Sequence, residues 1–173
     1  MTRINPIDIE TASPDIQTQL AAVRALLGGV PNLMLVAARS PATLEALVAL
    51  FGAVGKGALP ARTREAIALA VAQVDGCDYC LSAHTLLGKR AGLSEQDIAA
   101  ARANTSGDAA VELAHALVEQ RGQVSDEQVA AARAAGLADR ELLEVVANVA
   151  LNVLTNFINT LAETPIDFPV VRR

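Results

Sequence analysis

The chain has 173 residues, 52% of them hydrophobic but only 2% aromatic, and a net charge of -5 from 14 basic and 19 acidic side chains. That length fits one domain, here residues 1–173, or one unit of an oligomer, and the apolar stock is Ala, Leu and Val, which suits closely packed helices. The absence of a basic run or an aromatic-basic patch argues against nucleic-acid binding.

The opening residues "MTRINPIDIETASPDIQ" lack the apolar core of a secretory signal. The most apolar segment, residues 145–154, is interrupted by Asn148 and Asn152 and followed by Asn156, so no stretch is expected to span a bilayer. A cytoplasmic location is the expectation, and there thiols are kept reduced.

Patterning is helical throughout, without two-residue alternation, which predicts an all-α fold, a compact helical bundle. The first helix follows Ser13 and Pro14, carries Ile16, Leu20, Val23 and Leu27 at helical spacing, and stops at Gly28 and Gly29. A short helix is expected over 34–38. Ser40 and Pro41 then supply an N-cap and a first-position proline to a third helix. The glycines of "GAVGKG" at 52–57 close it. That hexapeptide resembles a phosphate loop but lacks the required spacing and the following Ser or Thr, so it reads as a helix stop.

Another helix begins after Pro60 and stops at Asp75 and Gly76, and the next runs from "CDYC" to the glycines at 88 and 92. Ser94, three residues before Asp97, makes a cap-like start. "NTSGD" at 104–108 is a loop, helices are expected over 109–121, 126–135 and 139–163, and "TPIDFPVVRR" forms a tail. "REAIALAVAQV" at 64–74 and "RELLEVVANVA" at 140–150 share Arg-Glu ahead of an apolar helix, which either an old duplication or common helical composition explains.

Both cysteines lie in "CDYCLSAH". Two cysteines placed at random in such a chain would be three apart about one time in a hundred, so the pair is the strong signal. On one helix Cys77, Cys80 and His84 fall within about 60° of each other, and the cysteine Cα atoms lie about 5 Å apart, within disulfide range. A helix's first turn favours the thiolate, with Cys80 expected to have the lower pKa, and a histidine one turn on can accept the proton.

If the turn at Asp75 and Gly76 folds two helices into an antiparallel hairpin, Glu65 comes level with His84. It shares a face with Ala68, Leu69 and Ala72, so its carboxylate is expected to point inward, where it can exchange protons. Glu65, His84 and Cys80 then form a proton relay with Cys77 ready to close a disulfide. The plainer alternative makes Glu65 a partner of Arg62 or Arg64. Zinc is disfavoured because it wants four ligands and His115 lies in another segment without a second cysteine pair; no metal or cofactor is expected. His115 reads as packing. Asn148, Asn152, Asn156 and Asn159 make a polar stripe that either lines a pocket or bonds across a packing interface, the interface being preferred.

The set Glu65, Cys77, Cys80, His84 resembles the signature of the alkylhydroperoxidase D-like group of the carboxymuconolactone decarboxylase superfamily, and "GALPARTREAIALAVAQVDGCDYCLSAHTLLGKRAGLS" and "NVALNVLTNFINTLAETPIDFP" are similar to a branch of it. The resemblance implies an all-helical homo-oligomer, a trimer or hexamer, and a peroxidase for alkyl or hydrogen peroxides. It implies that Cys80 attacks the peroxide, Cys77 resolves the sulfenic acid, and His84 and Glu65 relay protons. A dithiol reductant, lipoyl-bearing or thioredoxin-like, is the implied partner. Some relatives carry a histidine where this chain has Tyr79. The alternatives are a lactone decarboxylase, whose chemistry does not call for the cysteine pair, and a non-enzymatic redox-sensing oligomer.

Overall fold

The computed structural model describes residues 2–173, and among them the regular structure is entirely helical. In chain order the helices are α1 (Pro14–Leu27), α2 (Asn32–Ala37), α3 (Pro41–Val54), α4 (Ala61–Asp75), α5 (Asp78–Arg90), α6 (Glu95–Arg102), α7 (Ala109–Glu119), α8 (Asp126–Ala134) and α9 (Asp139–Ala162).

The ends are set by local chemistry. Ser13 and Ser40 accept the N–H groups of Ile16 and Thr43 just ahead of a first-turn proline. Reciprocal capping boxes open α6, between Ser94 and Asp97, and α8, between Ser125 and Gln128. The segment that follows "GAVGKG" binds a carboxylate of its own chain: Glu144 accepts from the N–H groups of Ala58 at 2.6 Å and Leu59 at 3.0 Å.

Helix α4 is the centre of the molecule. Every side chain from Ala66 to Ala72 is buried, and α5, α6, α7 and α9 all pack on it. Small alanines on several sides of α4 let these neighbours approach closely, and burial of the larger Ile67, Leu69 and Val71 supplies roughly 2 kcal/mol each. A second core gathers Leu20 and Val23 of α1, Leu44 and Leu47 of α3, and Leu151 of α9. Helix α9 joins the two, since Val145 and Val149 belong to the α4 core.

One expectation is corrected. Helix α9 has 24 residues and a mean hydropathy of 1.4 over its most apolar window, which is long and apolar enough to cross a membrane. Half of that window is buried inside the bundle, where the asparagine stripe faces the interior.

The tail after α9 runs back across α2 and α5. Asp167 accepts the Asn32 N–H at 2.9 Å. Val171 donates its N–H to Ser82 Oγ at 2.9 Å, and Arg172 pairs with Asp78 at 2.7 Å. These contacts lay the tail over the start of α5, beside the cysteines.

Candidate active site

The turn between α4 and α5 needs a left-handed residue, and Gly76 supplies it at φ 69°. Cys77 follows in extended conformation as the N-cap of α5, its sulfur accepting the Cys80 N–H at 3.3 Å. It therefore stands just before the helix, with Cys80 inside the first turn. Both cysteines are buried and unbridged, and their sulfurs share a hydrogen bond of 2.6 Å.

His84 lies one turn beyond Cys80, and its Nδ1 meets Glu65 Oε2 of α4 at 2.8 Å. Gly88, a further turn along, packs against Leu93, where a Cβ would come within 2.9 Å of the leucine side chain. The arginines near Glu65 are engaged elsewhere, Arg62 with Asp97 at 2.9 Å and Arg64 with the Leu59 carbonyl. All four residues singled out in the sequence thus gather on the α4 and α5 pair.

The asparagine stripe divides in two. Asn148 and Asn152 donate to carbonyls of their own helix, Glu144 O at 2.7 Å and Asn148 O at 2.8 Å. Asn156 donates to Asp75 Oδ2 at 2.9 Å, and Asn159 donates to Cys80 Sγ at 3.3 Å. The preference for an interface between asparagines is therefore corrected: they are buried within the chain, and Asn159 is a site residue. Its spacing marked it as inward-facing, but its partner lies 79 residues away and left no mark in the sequence.

The order of the two thiols is also the reverse of the expectation. The hydrogen bond with Cys80 holds the Cys77 thiol below its usual value, against the opposing effect of burial. The Cys80 N–H, Thr160 and the charge of His84 add to the lowering. Burial pushes the Cys80 thiol well above its usual value, Cys77 and the Asp75 carboxylate push it further, and Asn159 pulls it back. The N-cap geometry gives the helix N–H to Cys77, while Cys80 is deeper. Asp75 itself is raised, chiefly by burial, with the Asn156 hydrogen bond opposing.

Cys80, His84 and Asn159 line a cavity of about 400 Å³. Its remaining wall is mostly apolar, including Met34, Phe51, Leu87 and Phe168. Tyr79 packs edge-on against Phe168 with centroids 5.6 Å apart. Its hydroxyl accepts the Leu33 N–H at 3.1 Å and bonds Asp167, and burial keeps the phenol protonated. Tyr79 is a wall, not a proton carrier. His115 donates its Nε2–H to Ala101 O at 2.8 Å, far along the chain from these groups.

Residues 41–120 match the model of the carboxymuconolactone decarboxylase family. The search of curated proteins finds no match. Among solved structures, the chain is similar to the alkylhydroperoxidase AhpD core of an uncharacterized peroxidase-related protein from Ralstonia eutropha JMP134, at 22% identity over 96% of this chain and 92% of that one, with a TM-score of 0.83. It is similar to the debrominase Bmp8 at 22% identity over 96% and 93%, with a TM-score of 0.79. A Cys-to-Ala variant of Bmp8 in complex with 2,3,4-tribromopyrrole matches at 21% identity over 96% and 92%, with a TM-score of 0.80. At such identities these likenesses speak for the fold alone. The family match covers residues 41–120, and over nearly the whole chain the fold is that of the alkylhydroperoxidase AhpD core.

Proposed function

We propose that the protein is a thiol-dependent peroxidase that reduces an organic hydroperoxide, with hydrogen peroxide as a smaller substrate, using the Cys77 and Cys80 pair. The observation that carries this reading is that Cys80 and His84 line one cavity, with Glu65 behind the histidine at 2.8 Å and a second thiol 2.6 Å behind the first.

Glu65 accepts from His84 Nδ1–H, so Nε2 is the ring's acceptor. In the reduced pair a proton lies between the sulfurs, with negative charge favoured on Cys77. His84 takes the Cys80 proton as that sulfur attacks the terminal oxygen of the hydroperoxide. An S–O bond forms, the O–O bond breaks, and the departing alkoxide takes the proton back from His84 to leave as alcohol. Asn159 steadies the Cys80 thiolate through its N–H. The Cys77 thiolate then attacks the Cys80 sulfenic sulfur, the S–S bond forms as the S–O bond breaks, and the departing hydroxide takes a proton from solvent to leave as water. A dithiol returns the pair to the reduced state. In sum, one hydroperoxide and one dithiol become alcohol, water and one disulfide.

The apolar wall of the cavity supports an alkyl over an inorganic peroxide. It also supports a second reading, in which the same dithiol removes halogen from an apolar ring, because the space suits a ring and the debrominase Bmp8 shares the fold. The test is anaerobic mixing of reduced protein with cumene hydroperoxide, hydrogen peroxide or a brominated pyrrole, counting remaining thiols. Fastest oxidation by cumene hydroperoxide supports the peroxidase. Bromide release that outpaces peroxide loss favours dehalogenation, and no thiol loss with any of them rejects both readings.

The reading includes self-association. Leu143, Val146, Leu154, Phe157 and Leu161 leave an apolar stripe on the outer face of α9, suited to burial against a second copy. Light scattering of the wild type and Phe157→Glu tests it: a smaller species in the variant supports the stripe, and equal masses reject it.

A further inference from the structure

The two sulfurs touch, yet they line different cavities. Cys80 belongs to the apolar one. Cys77 lines a second cavity of about 350 Å³, whose walls include Arg3, Asp78, Thr160, Thr164 and Arg172. The two cavities share only Tyr79 and Asn159 among their lining residues. Tyr79 is held between the cavities by the Leu33 N–H at its hydroxyl and by the ring of Phe168.

The second cavity is the more polar of the two. Arg172 pairs with Asp78 at 2.7 Å and Arg3 with Glu163 at 3.0 Å around it.

On the dithiol reading above, we infer that substrate and reductant enter by separate doors: the oxidant reaches Cys80 through the apolar cavity, and the reducing dithiol reaches Cys77 through the polar one. Cys77 is only 3% exposed, and the polar cavity it lines is its opening to solvent.

The exchange balances. One reductant thiolate attacks Cys77 Sγ of the oxidised pair, a mixed disulfide forms, and the Cys77–Cys80 bond breaks. Cys80 leaves as a thiolate held by the Asn159 N–H and takes a proton. The second reductant thiol then attacks the reductant sulfur of the mixed disulfide, and Cys77 leaves as thiolate. Cys77, stabilised by the N–H of Cys80, is a good leaving group for that last step. The reductant ends as a disulfide, and the protein ends as the reduced pair. Because oxidant and reductant do not share a door, bound substrate does not block recycling.

The test measures the two half-reactions separately. Ile166→Trp and Thr160→Phe narrow the polar cavity from different walls, and Leu87→Trp narrows the apolar one. For the reductive half, the disulfide is made beforehand with diamide and reduced with dihydrolipoamide. This half stays measurable even if peroxide never oxidises the protein, so failure of the peroxidase reading is seen separately, in the oxidative half. Variants are compared only if they keep wild-type helical circular dichroism, and either polar-cavity variant suffices. Slowing of reduction by tenfold or more in the polar-cavity variants, with less than twofold in Leu87→Trp, is expected. Reduction slowed equally by Leu87→Trp, or unchanged in both polar-cavity variants, overturns the inference.

Discussion

Cys77 and Cys80 are separated by one helical turn and share a hydrogen bond, but their surroundings differ in each property that governs a thiol. Cys77 caps the helix, accepts a backbone N–H and opens on a polar cavity. Cys80 sits inside the first turn beside the Asn159 amide, feels the Asp75 carboxylate and opens on an apolar cavity with His84. The first environment favours a thiolate at rest. The second favours a thiol that ionises only when a base takes its proton. Identical side chains therefore acquire different tasks from their neighbours, and the contrast can be broken from the Cys80 side one neighbour at a time.

The largest effect is expected from the base. His84→Gln removes it and should slow peroxide-driven disulfide formation by about 10²-fold or more, as loss of general acid–base catalysis does. Glu65→Gln keeps a hydrogen bond to Nδ1 but not the charge, and a loss of about 10-fold to 10²-fold is expected; stopped-flow thiol counting checks both. Retained rates in either variant would leave the two thiols without their proposed division.

Asn159→Leu should slow the same step about 10-fold, the scale of one lost donor to a charged sulfur, and move its pH profile to the alkaline side. The sign follows from the amide pulling the Cys80 thiol down, so its loss lets the thiol rise further.

Asp75→Asn should do the opposite, bringing Cys80 down and speeding disulfide formation a few-fold at neutral pH, because Asp75 holds that thiol up. It carries a stability prediction as well. Asp75 is raised in the fold, so its stabilising contribution is full below the unfolded carboxylate range and lost as pH rises through the folded value. The variant should therefore gain melting temperature over the wild type at neutral pH and not in strong acid. A gain at both would separate Asp75 from titration.

The smallest effect sharpens the partition between the cavities. Tyr79→Phe leaves the Leu33 N–H without its partner while keeping the ring packed on Phe168, a loss of about 1–3 kcal/mol by denaturant unfolding. No measurable loss would mean that the hydroxyl does not hold the wall.

The helices were legible because their ends carry their own chemistry: Ser13, Ser40 and Ser94 cap, Pro14 and Pro41 start, Gly28 and Gly76 stop. Four site residues were legible for a related reason. Three are one turn or so apart on a single segment, and counting equally back from the turn reaches Glu65. What counting cannot supply is the third wall. Asn159, Thr160 and the tail from Thr164 to Arg172 come from the far end of the chain. Asn159 and Thr160 add to the hydrogen bond between the thiols and to burial in setting which thiol ionises, and the tail helps wall the second cavity. Charge alone also misleads without contacts. Glu65 and Glu141 follow arginine in similar apolar helices, yet Glu65 meets His84 while Glu141 accepts the Ala138 N–H at 3.1 Å and caps its own helix.

The most direct test of this division of labour is a single-turnover reaction of cumene hydroperoxide with wild type, Cys80→Ser and Cys77→Ser, with dimedone present to capture sulfenic acid. The account predicts that Cys77→Ser consumes one peroxide and carries dimedone on Cys80, while Cys80→Ser consumes none within the same time. Equal peroxide loss in all three proteins, or dimedone on Cys77 in Cys80→Ser at the wild-type rate, would contradict it.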